Sequence, residues 1–155
     1  MIGDCLVFKH KGIYDLGISL FEDGSPYTHV ALDCGDGTLI ESYPGVGVRI
    51  RPIPDDPEMD RFRMDGILHP EIETPLRWAY AINVAKTQVG KPYDVPGIVD
   101  YVIGHRLLDH HGWFCSELVD AIYAWAGIMI EHGDCAYVNP ARFSRPPFVQ
   151  VTTGG

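Results

Sequence analysis

The first half of the chain alternates apolar and polar residues in the short runs that are typical of β-strands. Two of these runs flank the turn Gly35-Asp36-Gly37, a composition that favours a tight β-hairpin. The last two runs alternate in the same sense and are predicted to pair with each other. Short strands are therefore predicted at residues 5–9, 29–34, 38–43, 47–53 and 61–67.

The spacing of apolar residues changes after residue 70 to that of an α-helix. Thr74-Pro75 supplies an N-cap followed by proline at the first helical position, and Gly90 suits the C-terminal cap. A shorter helix is predicted at about residues 96–107, and a third helix follows at residues 116–127. A last strand is predicted in FVQVTT near the end. Because strands come first and helices later, the pattern predicts an α+β fold with a central antiparallel sheet.

Size and charge exclude several classes of function. The chain has 155 residues, which fits a single domain spanning 1–155. Its formal net charge of −9 argues against a binder of duplex nucleic acid, which needs a dense basic face. No apolar stretch approaches the roughly 18 residues of a membrane span, and MIGDCLVFKH lacks the pattern of a secretory signal. The expected location is the cytoplasm, and the small size is compatible with delivery by a phage or prophage.

The four cysteines form no Cys-x-x-Cys pair, which favours reduced thiols. Cys115 differs from Cys5, Cys34 and Cys135 because it stands immediately before the helical pattern SELVDAIYAWAG. A cysteine at a helix N-terminus lies at the positive end of the helix dipole, beside free backbone N–H groups, and both favour the thiolate. Cys115 is therefore the candidate nucleophile, and the other three are expected to be packing residues.

A thiolate nucleophile needs a base, and the base needs a third group that fixes its tautomer. Residue alternation places His29 and Asp33 on one face of their strand, and Glu41 follows on the next strand of the hairpin. If Glu41 lies opposite or diagonal to His29, its carboxylate can accept the second N–H of the imidazole. A glutamate inside the apolar run LIES is otherwise costly to bury. His29 is the candidate base and Glu41 the candidate orienting residue, with Asp33 as the alternative.

Five stretches of the chain resemble one protein family. They are GDCLVF near the start, THVAL with its histidine, LIES with its glutamate, GKPYD, and FCSELVDAIY. Together they resemble the permuted branch of the papain-like NlpC/p-sixty superfamily, the YiiX-like proteins, which are related to lecithin:retinol acyltransferase. As in that branch, the histidine strand precedes the cysteine helix. The resemblance covers roughly Gly3 to Pro140 and implies a circularly permuted, NlpC-type papain-like domain with the nucleophile at a helix N-terminus.

The resemblance implies a role for each matching residue. Cys115 matches the nucleophile, His29 the general base, and Glu41 the polar residue that orients the histidine. Tyr93, in GKPYD, matches the tyrosine that lines the site and helps to hold the oxyanion. Members of the family cleave amide bonds of cell-wall peptides, and some permuted relatives act on acyl lipids. The implied function is a cysteine peptidase or amidase that acts on a peptide, a peptidoglycan fragment or an acyl substrate, without cofactor or metal.

Two other functions fit the same residues. A thiol acyltransferase or lipid hydrolase would use the same Cys–His site, and a binding module could keep the fold without activity. A metal site is disfavoured, because His132-x-x-Cys135 has no second pair of ligands to complete it. The polar stretch HRLLDHHGW, with His105, His110 and His111, is expected to be a solvated loop.

Overall fold

A computed structural model of the chain describes residues 1–9, 25–66, 69–70, 74–94, 112–130 and 138–151. Within these ranges, six strands form one antiparallel sheet and two α-helices pack against it. The strands are β1 (Cys5–Phe8), β2 (His29–Asp33), β3 (Thr38–Tyr43), β4 (Gly47–Pro52), β5 (Met59–Met64) and β6 (Phe148–Gln150). The helices are α1 (Pro75–Lys86) and α2 (Cys115–Trp125), and a 3₁₀ helix covers Pro140–Ser144. The predicted α+β class is confirmed.

The strand order across the sheet is β4-β3-β2-β1-β5-β6. The predicted β2–β3 hairpin and the last strand are present, but the predicted pairing of β4 with β5 is wrong. Strand β5 pairs with β1 and β6 instead, and β4 pairs with β3. All four residues of β1 are buried, so this strand needs partners along both edges, and β5 supplies the second one.

Both helices lie on one side of the sheet, which we call the helix face. Helix α2 contacts α1, β2 and β3. The apolar stripes predicted for the two helices face the sheet, with Trp78 and Ile82 buried in α1 and Leu118 and Ile122 buried in α2. The strand residues in this cluster include Cys5, Val7, Val30, Leu32, Ile40, Val48, Phe62 and Met64. This packing forms the larger part of the core.

The alternate strand residues form a second, smaller cluster on the opposite side, which we call the far face. Its buried apolar members are Leu6, Phe8, Ala31 and Leu39. Because successive strand residues point to opposite faces, His29 and Glu41 also lie on the far face. Both are buried. The far face therefore combines a small apolar cluster with two buried polar side chains, those of His29 and Glu41.

Several predictions concern residues outside the described ranges. They are the helix at residues 96–107, the loop histidines His105, His110 and His111, and the pair His132 and Cys135. Within the described ranges, no helix combines the length and the apolar character needed to span a bilayer.

Candidate active site

The β2–β3 hairpin brings His29 and Glu41 into direct contact. Leu32 pairs with Ile40 and Asp33 with Leu39, so this register places Glu41 diagonal to His29 on the far face. The Nε2 atom of His29 lies 2.8 Å from Oε2 of Glu41. The contact that the hairpin pattern predicts is therefore present in the structure.

The environment of Glu41 keeps its carboxylate ionised. Its side chain is completely buried, and Oε1 accepts hydrogen bonds from Nε of Arg49 at 2.8 Å and Nε of Arg51 at 2.6 Å. Burial would raise the pKa of Glu41, but the hydrogen bonds and charges of His29 and Arg51 outweigh it and lower the pKa to about 2. At neutral pH, His29 therefore faces a permanent negative charge.

Asp33, the alternative partner of His29, is engaged elsewhere. Its carboxylate pairs with Arg61 and with the amino group of Met1, and it accepts a hydrogen bond from the backbone N–H of Gly35 at 2.7 Å. The last bond tightens the turn between β2 and β3. Of the two carboxylates considered for orienting His29, the structure places Glu41 against the imidazole.

Two aromatic rings hold the imidazole of His29 in place. The ring of Phe8 lies 5.5 Å from it, centroid to centroid, and the ring of Tyr43 packs edge-on at the same distance. The contact with Glu41 uses Nε2, so Nδ1 is the ring nitrogen through which a proton could be exchanged with a nucleophile. The packing and the hydrogen bond together fix the orientation that a general base requires.

Cys115 is the first residue of α2 and is buried. The backbone N–H of the preceding residue, Phe114, donates to Oε2 of Glu117 at 3.0 Å. This bond satisfies one of the backbone donors that a helix N-terminus leaves without a partner inside the helix. The predicted position of the cysteine at a helix start is confirmed, and its side chain belongs to the helix-face cluster.

Tyr93 lies beside the residues that precede Cys115. It forms a β-bridge with Trp113, and its ring packs 5.5 Å from the ring of Phe114. The backbone N–H of Trp113 donates to the carbonyl of Pro92 at 3.1 Å. The GKPYD segment is thus attached to the entrance of α2.

The N-terminus of α2 docks at the end of the hairpin where β2 begins and β3 ends. Ser42 Oγ donates to the carbonyl oxygen of Trp113 at 2.6 Å, which ties β3, one residue after Glu41, to the chain just before Cys115. Ser42 is on the helix face, whereas Glu41 and His29 point to the far face. The structure therefore joins His29 to Glu41 and places Cys115 at the same end of the sheet, on its helix face.

Residue alternation along β4 predicts Arg49 and Arg51 only as the polar side of a half-buried strand, and their contacts with Glu41 are not predicted. Glu41 pairs directly with Arg49 across β3 and β4, and Arg51 is two residues further on the same face. A signal was present in the sequence: two arginines at alternate positions follow a strand that carries a glutamate among apolar residues. Their convergence on Glu41 depends on the register of β3 and β4.

No protein-family model and no curated protein matches the chain. In the part of the chain that the structure describes, no group of three or more His, Cys, Asp and Glu side chains could hold a metal ion. The family resemblance of the motifs stays a prediction.

Proposed function

We propose that the protein is a cysteine hydrolase that cleaves an amide bond through a thioacyl-enzyme, with Cys115 as nucleophile and His29 as base. In this proposal the domain is a circularly permuted, NlpC-type papain-like fold. The observation that carries the proposal is the buried Glu41 carboxylate 2.8 Å from the His29 imidazole. Burying an ionised carboxylate is costly, and a carboxylate that fixes an imidazole is the arrangement that nucleophilic catalysis requires.

The reaction follows from the properties of the three groups. His29 takes the proton of the Cys115 thiol through Nδ1, and the thiolate attacks the carbonyl carbon of the amide. The backbone N–H groups at the start of α2, and the Tyr93 hydroxyl, stabilise the oxyanion that forms. The protonated imidazole then gives its proton to the leaving amine, and a thioester remains on Cys115. A water molecule, deprotonated by His29, hydrolyses this thioester and releases a carboxylic acid.

The proposal requires the thiol and the imidazole to meet at the end of the hairpin. His29 is the first residue of β2, so its ring lies where this strand begins. The Ser42–Trp113 hydrogen bond holds the start of α2 at the same end. Cys115 is on the helix face and His29 is on the far face. Their side chains would therefore have to meet around the end of the sheet where β2 begins.

Alkylation by iodoacetamide tests this contact. An ordinary thiol with a pKa of about 8.5 is only about 0.03% ionised at pH ~5, whereas a thiolate paired with an imidazolium is almost fully ionised. The lower nucleophilicity of a low-pKa thiolate offsets part of this difference. We expect His29→Ala to slow labelling of Cys115 about 50-fold at pH ~5 and little at pH ~8.5, as measured by mass spectrometry of the modified peptide.

Cys115→Ser serves as the control that assigns the fast label to this sulfur. A wild-type labelling rate that rises tenfold per pH unit up to the ordinary thiol pKa, as in His29→Ala, would contradict the proposed site and favour a binding module without activity. A stable acyl group on Cys115 after exposure to acyl lipids would instead support a transferase or lipid hydrolase on the same residues.

A further inference from the structure

Two arginines share one carboxylate on the far face. Oε1 of Glu41 accepts from Nε of Arg49 at 2.8 Å and from Nε of Arg51 at 2.6 Å, and Nη2 of Arg51 lies 3.4 Å from Oε2. Among the described residues, Glu41 is the only carboxylate that forms an ion pair with either arginine. With a neutral imidazole at His29, the group of Glu41, Arg49 and Arg51 carries one uncompensated positive charge.

A second group of arginines on the same face provides a comparison. Arg61 pairs with both Asp4 and Asp33, and Arg63 pairs with Asp4. The N-terminal amine of Met1 also pairs with Asp4 and Asp33, so three positive groups there face two carboxylates. Arg49 and Arg51 differ from that group in sharing a single carboxylate between them, in a chain whose formal net charge is −9.

The arginine pair is both held in place and accessible. Glu41 is completely buried, whereas the side chains of Arg49 and Arg51 are 32% and 27% exposed. The guanidinium of Arg49 lies 4.5 Å from the ring centroid of Tyr43. The guanidinium of Arg51 lies 6.0 Å from the ring centroid of Phe8. These are the two rings that flank His29. Each guanidinium has five N–H donors in a planar fork, so donors beyond those used by Glu41 face solvent.

We propose that Arg49 and Arg51 form a subsite for a carboxylate that the substrate carries close to the bond that is cleaved. The inference rests on the proposed function, because the shared Glu41 places the anion beside His29, the proposed base. A planar guanidinium pair matches the two oxygens of a carboxylate in geometry and charge. The substrate class is thus an acidic peptide or acyl compound with a free carboxylate near the scissile amide.

Two alkylating reagents of nearly equal size test the subsite. Iodoacetate carries a carboxylate and iodoacetamide is neutral, and both modify the same sulfur of Cys115. The ratio of their rate constants cancels any change in the reactivity of the thiol, including a change that comes from disturbing Glu41. We expect the ratio of iodoacetate to iodoacetamide to fall about fivefold in Arg49→Gln/Arg51→Gln, and to stay within about twofold of wild type in the matched Arg→Lys variant.

Two further experiments keep the test decisive if the double variant does not fold. They are labelling of the single variants Arg49→Gln and Arg51→Gln, and a salt titration of the wild-type protein. Raising NaCl from about 50 mM to about 500 mM should lower the wild-type ratio by a similar factor. A ratio that changes neither with salt nor with the single variants overturns the subsite while leaving the nucleophile intact. Slow labelling of wild-type Cys115 at pH ~5 by both reagents overturns the proposed hydrolase instead.

Discussion

Glu41→Gln is expected to lower the free energy of unfolding by about 2–4 kcal/mol at pH 7. The substitution keeps the shape of the side chain but removes the charge that holds Arg49, Arg51 and His29. The amide also brings N–H donors to a place where the neighbouring arginines are donors themselves. The arginines are partly exposed and can regain some hydration, so the expected cost is below that of a fully buried broken pair.

The same carboxylate predicts part of the acid sensitivity of the fold. The pKa of Glu41 is about 2 in the folded protein against an ordinary value of 4.5. Since the folded-state pKa is the lower one, the stabilisation is complete above about pH 5 and is lost as the pH falls through 2. The pKa difference corresponds to at most about 3 kcal/mol, and the partial exposure of the arginines reduces it. Glu41→Gln should therefore have a flatter stability profile between pH ~5 and pH ~2.

Urea unfolding of both proteins at several pH values measures these two effects. Other carboxylates, such as Asp4 and Asp60, also have lowered pKa values, so the difference between the two profiles isolates the contribution of Glu41. Glu58→Gln provides the matched control, because Glu58 is exposed. The free energy of unfolding of this variant should stay within about 0.5 kcal/mol of wild type. Equal stability and equal pH dependence of Glu41→Gln and wild type would contradict the ionised, buried carboxylate.

Gly47→Ala is expected to destabilise the protein by about 3 kcal/mol or more, for two independent reasons. Gly47 has φ +87°, a conformation that costs an alanine about 1–2 kcal/mol. A Cβ at this position would also lie 2.2 Å from the carbonyl oxygen of Lys91, which accepts a hydrogen bond from the N–H of Val48 at 2.9 Å. Relieving the clash requires the GKPYD segment to move away from β4, and this segment carries Tyr93.

Gly45→Ala, in the turn just before β4, separates the two causes. Gly45 has φ +75°, and a Cβ there meets no atom within 4 Å, so only the conformational cost of about 1–2 kcal/mol is expected. Urea unfolding of both variants measures the difference. Similar losses of stability in the two variants would show that the contact with Lys91 is not a constraint on β4.

The hairpin contact between His29 and Glu41 could be predicted from the sequence because everything that determines it is local. A short turn rich in glycine joins the two strands, so the register follows from the turn and the alternation of side chains. The position of Cys115 at a helix start is local for the same reason. In both cases the residues concerned are close in sequence to the turn or the helix boundary that places them.

The pairing of β5 could not be predicted in this way, because alternation shows which side of a strand is buried but not which strand lies beside it. Alternation also does not predict which face of the sheet α2 covers. Every residue of β2 is buried, so the pattern does not show which face the helix covers. The convergence of Arg49 and Arg51 on Glu41 likewise follows from the register of two strands rather than from either strand alone.

The interior position of β1 has a consequence for how the domain unfolds. Strands β2–β4 lie on one side of it and strands β5 and β6 on the other, and within the sheet these two sets are joined through the four residues Cys5–Phe8. Neither set can keep its inner edge paired once β1 leaves. Amide protons that bond β1 to β2 and to β5 should therefore exchange with the same opening free energy.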